Sequence, residues 1–146
     1  MSFDQLKLDN QLCFHLYAAS RLITREYQPF LDELGITYPQ YLVFMVLWEK
    51  DGVSVNEISQ KLILNTNTVT PLLKRMESSD FISRERCNED ERRVIVKLTE
   101  KGRAMEIEAA KIPKGISSCI LSDEMKMEDL MELKDKLHEL IDVLKK

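Results

Sequence analysis

The 146-residue chain contains three cysteines, Cys13, Cys87 and Cys119, and two histidines, His15 and His138. Thiol oxidation is the most reactive chemistry these side chains offer: a thiolate is oxidised to sulfenic acid, which a second thiol then converts to a disulfide. No Cys-x-x-Cys or paired histidines are present to hold zinc, so no metal and no organic cofactor is expected. Three widely spaced cysteines also do not make a secreted disulfide framework, and free thiols in a reducing cytosol are the default. Cys13 falls in the first turn of a helix if that helix begins near Asp9 or Asn10. There the helix dipole favours thiolate. The competing reading is a buried, inert thiol that packs as a small hydrophobe. Cys87 reads as an incidental exposed thiol, and the histidines are too isolated to act as ligands or as a general base.

A second set of groups suits nucleic acid. Asn67, Thr68, Thr70, Lys74 and Arg75 fall on the outward side of a helix expected over Thr66–Ser79, whose inward stripe is Val69, Leu72, Leu73 and Met76. Short polar groups at a helix start match base edges in the major groove, and basic groups further along match phosphates. Arg92 lies in the polar loop Cys87-Asn88-Glu89-Asp90-Glu91 or at its edge, and Asp90 is placed to orient its guanidinium. An arginine on such a loop suits a narrow minor groove. The plainer reading is a solvated polar helix and loop.

These groups need a scaffold, and the hydrophobic spacing supplies one. Leu12, Leu16, Ala19, Ile23, Tyr27, Phe30 and Leu34 predict a long helix over residues 8–34, ended by Gly35. Tyr38-Pro39-Gln40 opens a second helix that runs through Trp48, and Ser54-Val55-Asn56-Glu57 is a capping box that opens a third. Pro71 should sit near the start of the Thr66 helix or bend it. Phe81–Arg86 and Arg92–Leu98 read as the two strands of a hairpin, with Val94, Val96 and Leu98 alternating. Thr99 begins a further helix that Pro113 and Gly115 should interrupt. A last helix from Ser122 or Asp123 carries Met127, Leu130, Leu133, Leu137, Leu140 and Leu144, a stripe suited to packing between subunits. The fold class expected is therefore mainly α with a small β-hairpin wing (α+β), a winged helix-turn-helix. Residues 35–103 would form the DNA-binding lobe, and residues 1–34 and 104–146 a helical dimerisation region.

The charge distribution is consistent with that division. The chain is acidic overall at −4, yet residues 61–103 carry ten basic and seven acidic side chains, while the segments before and after are each net negative. A locally positive middle is an electrostatic footprint for DNA. No secretory leader or apolar run of membrane-spanning length is visible, so a cytoplasmic location without membrane attachment is expected.

Taken together, Ile36-Thr37-Tyr38-Pro39-Gln40-Tyr41, Thr70-Pro71-Leu72-Leu73-Lys74-Arg75-Met76-Glu77, Asp90-Glu91-Arg92 and Leu98-Thr99-Glu100-Lys101-Gly102 resemble the MarR family of transcriptional regulators. Asn10-Gln11-Leu12-Cys13-Phe14 narrows the resemblance to the OhrR-like branch of organic-hydroperoxide repressors. The resemblance implies a homodimer on a pseudo-palindromic double-stranded operator, with Cys13 as the redox-sensing residue and Tyr27 and Tyr38 as its hydrogen-bond donors. It also implies two fates for oxidised Cys13: capture of a small thiol, or a disulfide with a second cysteine in the C-terminal region, where Cys119 lies. Helix geometry adds a condition. Cys13 and Tyr27 stand 14 residues apart, about 21 Å along one straight helix. If Tyr27 serves Cys13, it must come from the other subunit, and Tyr17, one turn after Cys13, is a further neighbour.

Three other functions remain open from the residues. The aromatic-rich first third, with nine of the ten aromatic side chains, could line a pocket for a small aromatic ligand. A thiol peroxidase would need groups that activate peroxide near Cys13, and none is evident, so an enzyme is not expected. A purely protein-binding helical module would show no salt-dependent DNA affinity.

Overall fold

A computed structural model describes residues 3–145. Helix α1 spans Leu12–Leu34 and starts four residues later than the apolar spacing suggests. The preceding residues form two short 3₁₀ turns, Asp4–Leu6 and Leu8–Asn10. The side chains of Asn10 and Gln11 explain the delay, since they donate to the main-chain carbonyls of Asp4, Gln5 and Lys7 and close the segment on itself. Gly35 ends α1 in the left-handed region at φ 69°, with the Ile36 N–H returning to the Leu31 carbonyl.

Helix α2, Tyr38–Glu49, opens on a capping box: Thr37 Oγ1 accepts from the Gln40 N–H, and Gln40 Oε1 accepts from the Thr37 N–H. Ser54 caps α3, Val55–Leu62, by accepting from the Glu57 N–H. In place of the reciprocal bond from the Ser54 N–H, Glu57 Oε1 accepts from the Ser54 hydroxyl at 3.4 Å and from Arg93 at 2.8 Å. Helix α4, Thr66–Ser78, is capped by Asn65 and contains Pro71 as its sixth residue, a turn deeper than a helix start. Pro71 removes one donor, which leaves the Asn67 carbonyl free of its usual helical bond.

The wing holds one strand more than the sequence predicts. β2 (Ile82–Arg86) and β3 (Val94–Leu98) form the expected hairpin. β1, only Val53–Ser54, pairs antiparallel on the far side of β3, giving the order β1-β3-β2. Its partners are Val53 with Val96 and Ser54 with Ile95. The core of this lobe is made by Val43, Phe44, Leu47, Ile58, Val69, Leu73, Met76 and Val96, all essentially without solvent exposure. The burial stripe of α4 is the one its spacing predicts.

Thr99 caps α5, Glu100–Ala104, as expected. Of the two interruptions that follow, the one at Ala110 and Lys111 lies just before Pro113, as expected, and the one at Met105 is additional. The chain breaks at Met105 and again at Ala110 and Lys111, between α5, α6 (Glu106–Ala109) and α7 (Ile112–Ile120). Pro113 is the second residue of α7, a position where a missing N–H costs nothing, and Gly115 lies inside the helix. The last helix, α8 (Met127–Leu144), starts after Ser122 and Asp123, not at them. Ser122 Oγ accepts from the N–H groups of Glu124 and Met125 in a turn, and Asp129 accepts from the Lys126 N–H at the true start.

The chain divides into two compact units, one up to Ile112 and one from Pro113. In the second, α8 has no buried residue, and Met127 and Leu133 are each 47% exposed along its apolar stripe. A helix with an apolar stripe and no core beneath it requires another surface. Among the described residues no helix is long and apolar enough to cross a membrane.

Candidate functional site

The predicted DNA-reading groups come together on one lobe. Asn67, Thr68, Lys74 and Arg75 are exposed on α4 and Thr70 is half-buried. Among the described residues, neither Lys74 nor Arg75 has an ion-pair partner, so both charges are available. Beside α4 lies a groove of about 240 Å³ whose walls include Thr66, Thr70, Arg84, Arg92 and Arg93. Arg84 is held by Glu77 twice: Glu77 Oε1 accepts from Nη2 and Oε2 from the Arg84 main-chain N–H, both at 3.1 Å. This joins α4 to the wing. Sequence reasoning missed it, although charges seven residues apart across a helix-to-strand turn were a usable signal.

At the wing tip, the Asp90 carboxylate accepts from both the main-chain N–H and the Nε of Arg92. The Arg92 side chain is 92% exposed, with its Nε held by Asp90. Arg86 donates to the Glu91 carbonyl, and the Cys87 N–H to the Arg93 carbonyl, which closes the loop beneath it.

The sensing candidates are split. Cys13 is the second residue of α1 and is exposed in the single chain. Its position puts it in the first turn, near the N–H groups that have no helical partner. Tyr27 lies on the same unbroken helix, about 21 Å along the axis. Tyr27 and Tyr38 do meet each other, with ring centroids 5.0 Å apart in an edge arrangement. Tyr41 completes the cluster at 5.9 Å from Tyr27 and 6.2 Å from Tyr38. Tyr41 was missed as a functional candidate, although it follows Tyr38 by one helical turn. Burial raises the pKa of all three phenols above the usual 10.0; neighbouring tyrosines add to the rise at Tyr27 and Tyr41. They therefore stay protonated and remain donors. Tyr17 is 65% exposed, with Arg21 over its ring at 4.6 Å. Cys119 is exposed on α7, in the second unit, and Cys87 is half-buried.

A family model described as Transcriptional regulator SarA/Rot matches residues 25–108. The chain belongs to this family of transcriptional regulators. Among its relatives is the organic hydroperoxide resistance transcriptional regulator of Bacillus subtilis (strain 168), 46% identical over 142 residues that cover 97% of this chain and 95% of that one. The resemblance to organic-hydroperoxide regulators drawn from the sequence motifs is met by this relative. Among solved structures, reduced AbfR bound to DNA is 38% identical, with all of both chains covered and a TM-score of 0.78. AbfR, from Staphylococcus epidermidis, has also been solved in a disulfide-formed state. That structure is 37% identical to this chain, covers 98% of it and 96% of the AbfR chain, and has a TM-score of 0.66. The winged-helix fold class is thus shared with regulators of this family.

Proposed function

We propose that this SarA/Rot-family chain is a homodimeric repressor that binds double-stranded operator DNA when reduced and releases it when Cys13 is oxidised. The observation that carries the reading is an exposed cysteine in the first turn of α1, on the same chain as a free basic recognition helix and an oriented wing-tip arginine. AbfR has been solved reduced and bound to DNA and in a disulfide form, and this chain matches both. In this reading Asn67, Thr68 and Thr70 meet base edges, Lys74 and Arg75 meet phosphates, and Arg92, held by Asp90, enters the minor groove. Two copies present two recognition helices to half-sites about one helical turn apart. The N-terminal region (residues 1–34) and the C-terminal helices (residues 104–146) supply the dimer contacts, residues 35–103 the DNA-binding lobe, and the site of action is the cytoplasm.

The chemistry at Cys13 needs only an organic hydroperoxide. The thiolate sulfur attacks the distal peroxide oxygen, an S–O bond forms and the O–O bond breaks. The alkoxide leaves and takes up a proton as alcohol, and sulfur is left as sulfenic acid. Tyr27 and Tyr38 of the other subunit donate to the thiolate before this step. Cys119 then resolves the sulfenic acid: an S–S bond forms, the S–O bond breaks and the oxygen leaves as water. One hydroperoxide is thereby reduced per two thiols oxidised. The reaction is stoichiometric, as befits a sensor and not a turnover enzyme.

Labelled duplexes that the reduced protein selects from a random pool test the reading. Affinity should fall on treatment with cumene hydroperoxide and return with dithiothreitol. Non-reducing electrophoresis should show a dimer-sized band in oxidised wild type and none in Cys119→Ser. A monomer in both would replace the Cys119 route with a mixed disulfide or a stable sulfenic acid. Affinity unaffected by the peroxide would remove the sensor function.

A further inference from the structure

The chain has a single tryptophan, and it sits where the sensor tyrosines and the wing are joined. Tyr38, Tyr41, Phe44 and Trp48 occupy one stripe of α2 at steps of three and four. Tyr41, 3% exposed, touches both sensor tyrosines on one side and Trp48 on the other, with a ring separation of 6.5 Å to Trp48. Trp48 stacks on Phe44 at 5.0 Å and 16°, and Phe44 meets Phe81 edge-on at 5.2 Å. At the far end of α2, Trp48 Nε1 donates to the Gly102 carbonyl at 3.0 Å, across 54 residues of sequence.

Gly102 cannot move independently of the wing. A Cβ there would stand 2.3 Å from the Phe81 carbonyl oxygen, so the two backbones are already in close contact. Thr99, which caps α5 by accepting from the Gly102 N–H, also donates through its hydroxyl to the carbonyls of Asp80 and Phe81. The start of β2 and the end of β3 are therefore fastened to the turn that receives the indole N–H.

We infer that Trp48 is a positioning residue that links the Tyr27–Tyr38–Tyr41 cluster to the base of the wing through its hydrogen bond to Gly102. The inference rests on the redox-sensing reading above. A twelve-residue helix is a stiff rod about 18 Å long, so displacement of Tyr38 at its first turn is carried to Trp48 at its last. The wing strands of five residues, about 17 Å long, then act as a lever that moves Asp90 and Arg92 at the tip more than the base moves. Oxidation at Cys13 removes the thiolate to which the tyrosines donate, and the two-state element that responds is α2 with the wing latched to it.

Because Trp48 is the only tryptophan, its emission reports the latch directly in the full-length dimer. Peroxide treatment of the wild type should shift Trp48 emission, and the shift should be absent in Cys13→Ser. Trp48→Phe keeps a stacking ring and loses the donor. Replacing Trp48 with β-(3-benzothienyl)alanine keeps the fused-ring shape and also loses the donor, which guards against a simple folding defect. Both reduced variants should bind the selected duplex as wild type does, while the ratio of oxidised to reduced Kd falls by about fivefold or more. The latch is overturned if wild type releases DNA on oxidation with unchanged Trp48 emission, or if both variants keep the full ratio. It falls with the sensor reading itself if the wild-type ratio is one.

Discussion

Asp90 and Arg92 form a closed pair at the wing tip, with one carboxylate oxygen accepting the Arg92 main-chain N–H at 3.0 Å and its Nε at 3.2 Å. An exposed pair of this kind adds little to folding stability, and in the proposed function it aims the guanidinium. Arg92→Ala should weaken binding to a selected duplex by about tenfold to a hundredfold, the range of one specific arginine contact. Asp90→Ala should weaken it less, and neither should move the urea midpoint. Equal affinity of Arg92→Ala and wild type, measured by anisotropy, would remove Arg92 from the interface.

On α4, the proposed base and phosphate contacts are separable by mutation. Lys74 carries no ion pair among the described residues, so its charge is available to a phosphate. Lys74→Ala should lower affinity across all sequences and reduce the slope of log K against log salt by about 1. Asn67→Ala should instead leave the slope alone and relax preference at one base pair per half-site. Sequence-selection profiles of the two variants distinguish these roles.

Much of this lobe is legible in the sequence. The α4 stripe of Val69, Leu72, Leu73 and Met76 and the alternation of Val94, Val96 and Leu98 are strong periodic signals, and both elements form where they predict. β1 was not readable, since two residues are too few to show a period. The start of α1 was misplaced because Leu8 and Leu12 fit helical spacing, while the side chains of Asn10 and Gln11 bond backbone carbonyls in a tighter turn. The break at Ala110 lies just before Pro113, which has no N–H for the Ala109 carbonyl, while the break at Met105 coincides with no glycine or proline and gave no signal. At the candidate site, the distance between Cys13 and Tyr27 followed from helix rise alone. The bond from Trp48 to Gly102, which joins residues with no shared local pattern, had no sequence signal at all.

Gly102 should be intolerant of any side chain. The close approach of the Phe81 carbonyl leaves no room for a Cβ, and the clash is with backbone that cannot rotate away. Gly102→Ala should destabilise the fold by about 1–3 kcal/mol, as overpacked sites do. Urea unfolding by circular dichroism checks this, and a midpoint equal to wild type would show that the wing base is looser than its contacts indicate.

The tyrosine cluster predicts a pH dependence with a defined sign. Tyr27, Tyr38 and Tyr41 have folded-state pKa values raised by burial above the unfolded 10.0. Their contribution is fully present below about pH 10 and is lost as pH rises through the raised values, because the unfolded chain gives up those protons first. Stability should be flat from about pH 8 to 9 and fall beyond about pH 10. Ultraviolet titration should show phenol ionisation later than in the urea-unfolded chain. Coincident titration curves would contradict the burial of these hydroxyls.

If DNA binding and thiol sensing share this chain, Cys13→Ser separates them. In a gel-shift assay with the selected duplex, the variant should bind as reduced wild type does and keep its DNA at concentrations of cumene hydroperoxide that release the wild type. Release of the variant at the same peroxide concentration as wild type would contradict the account.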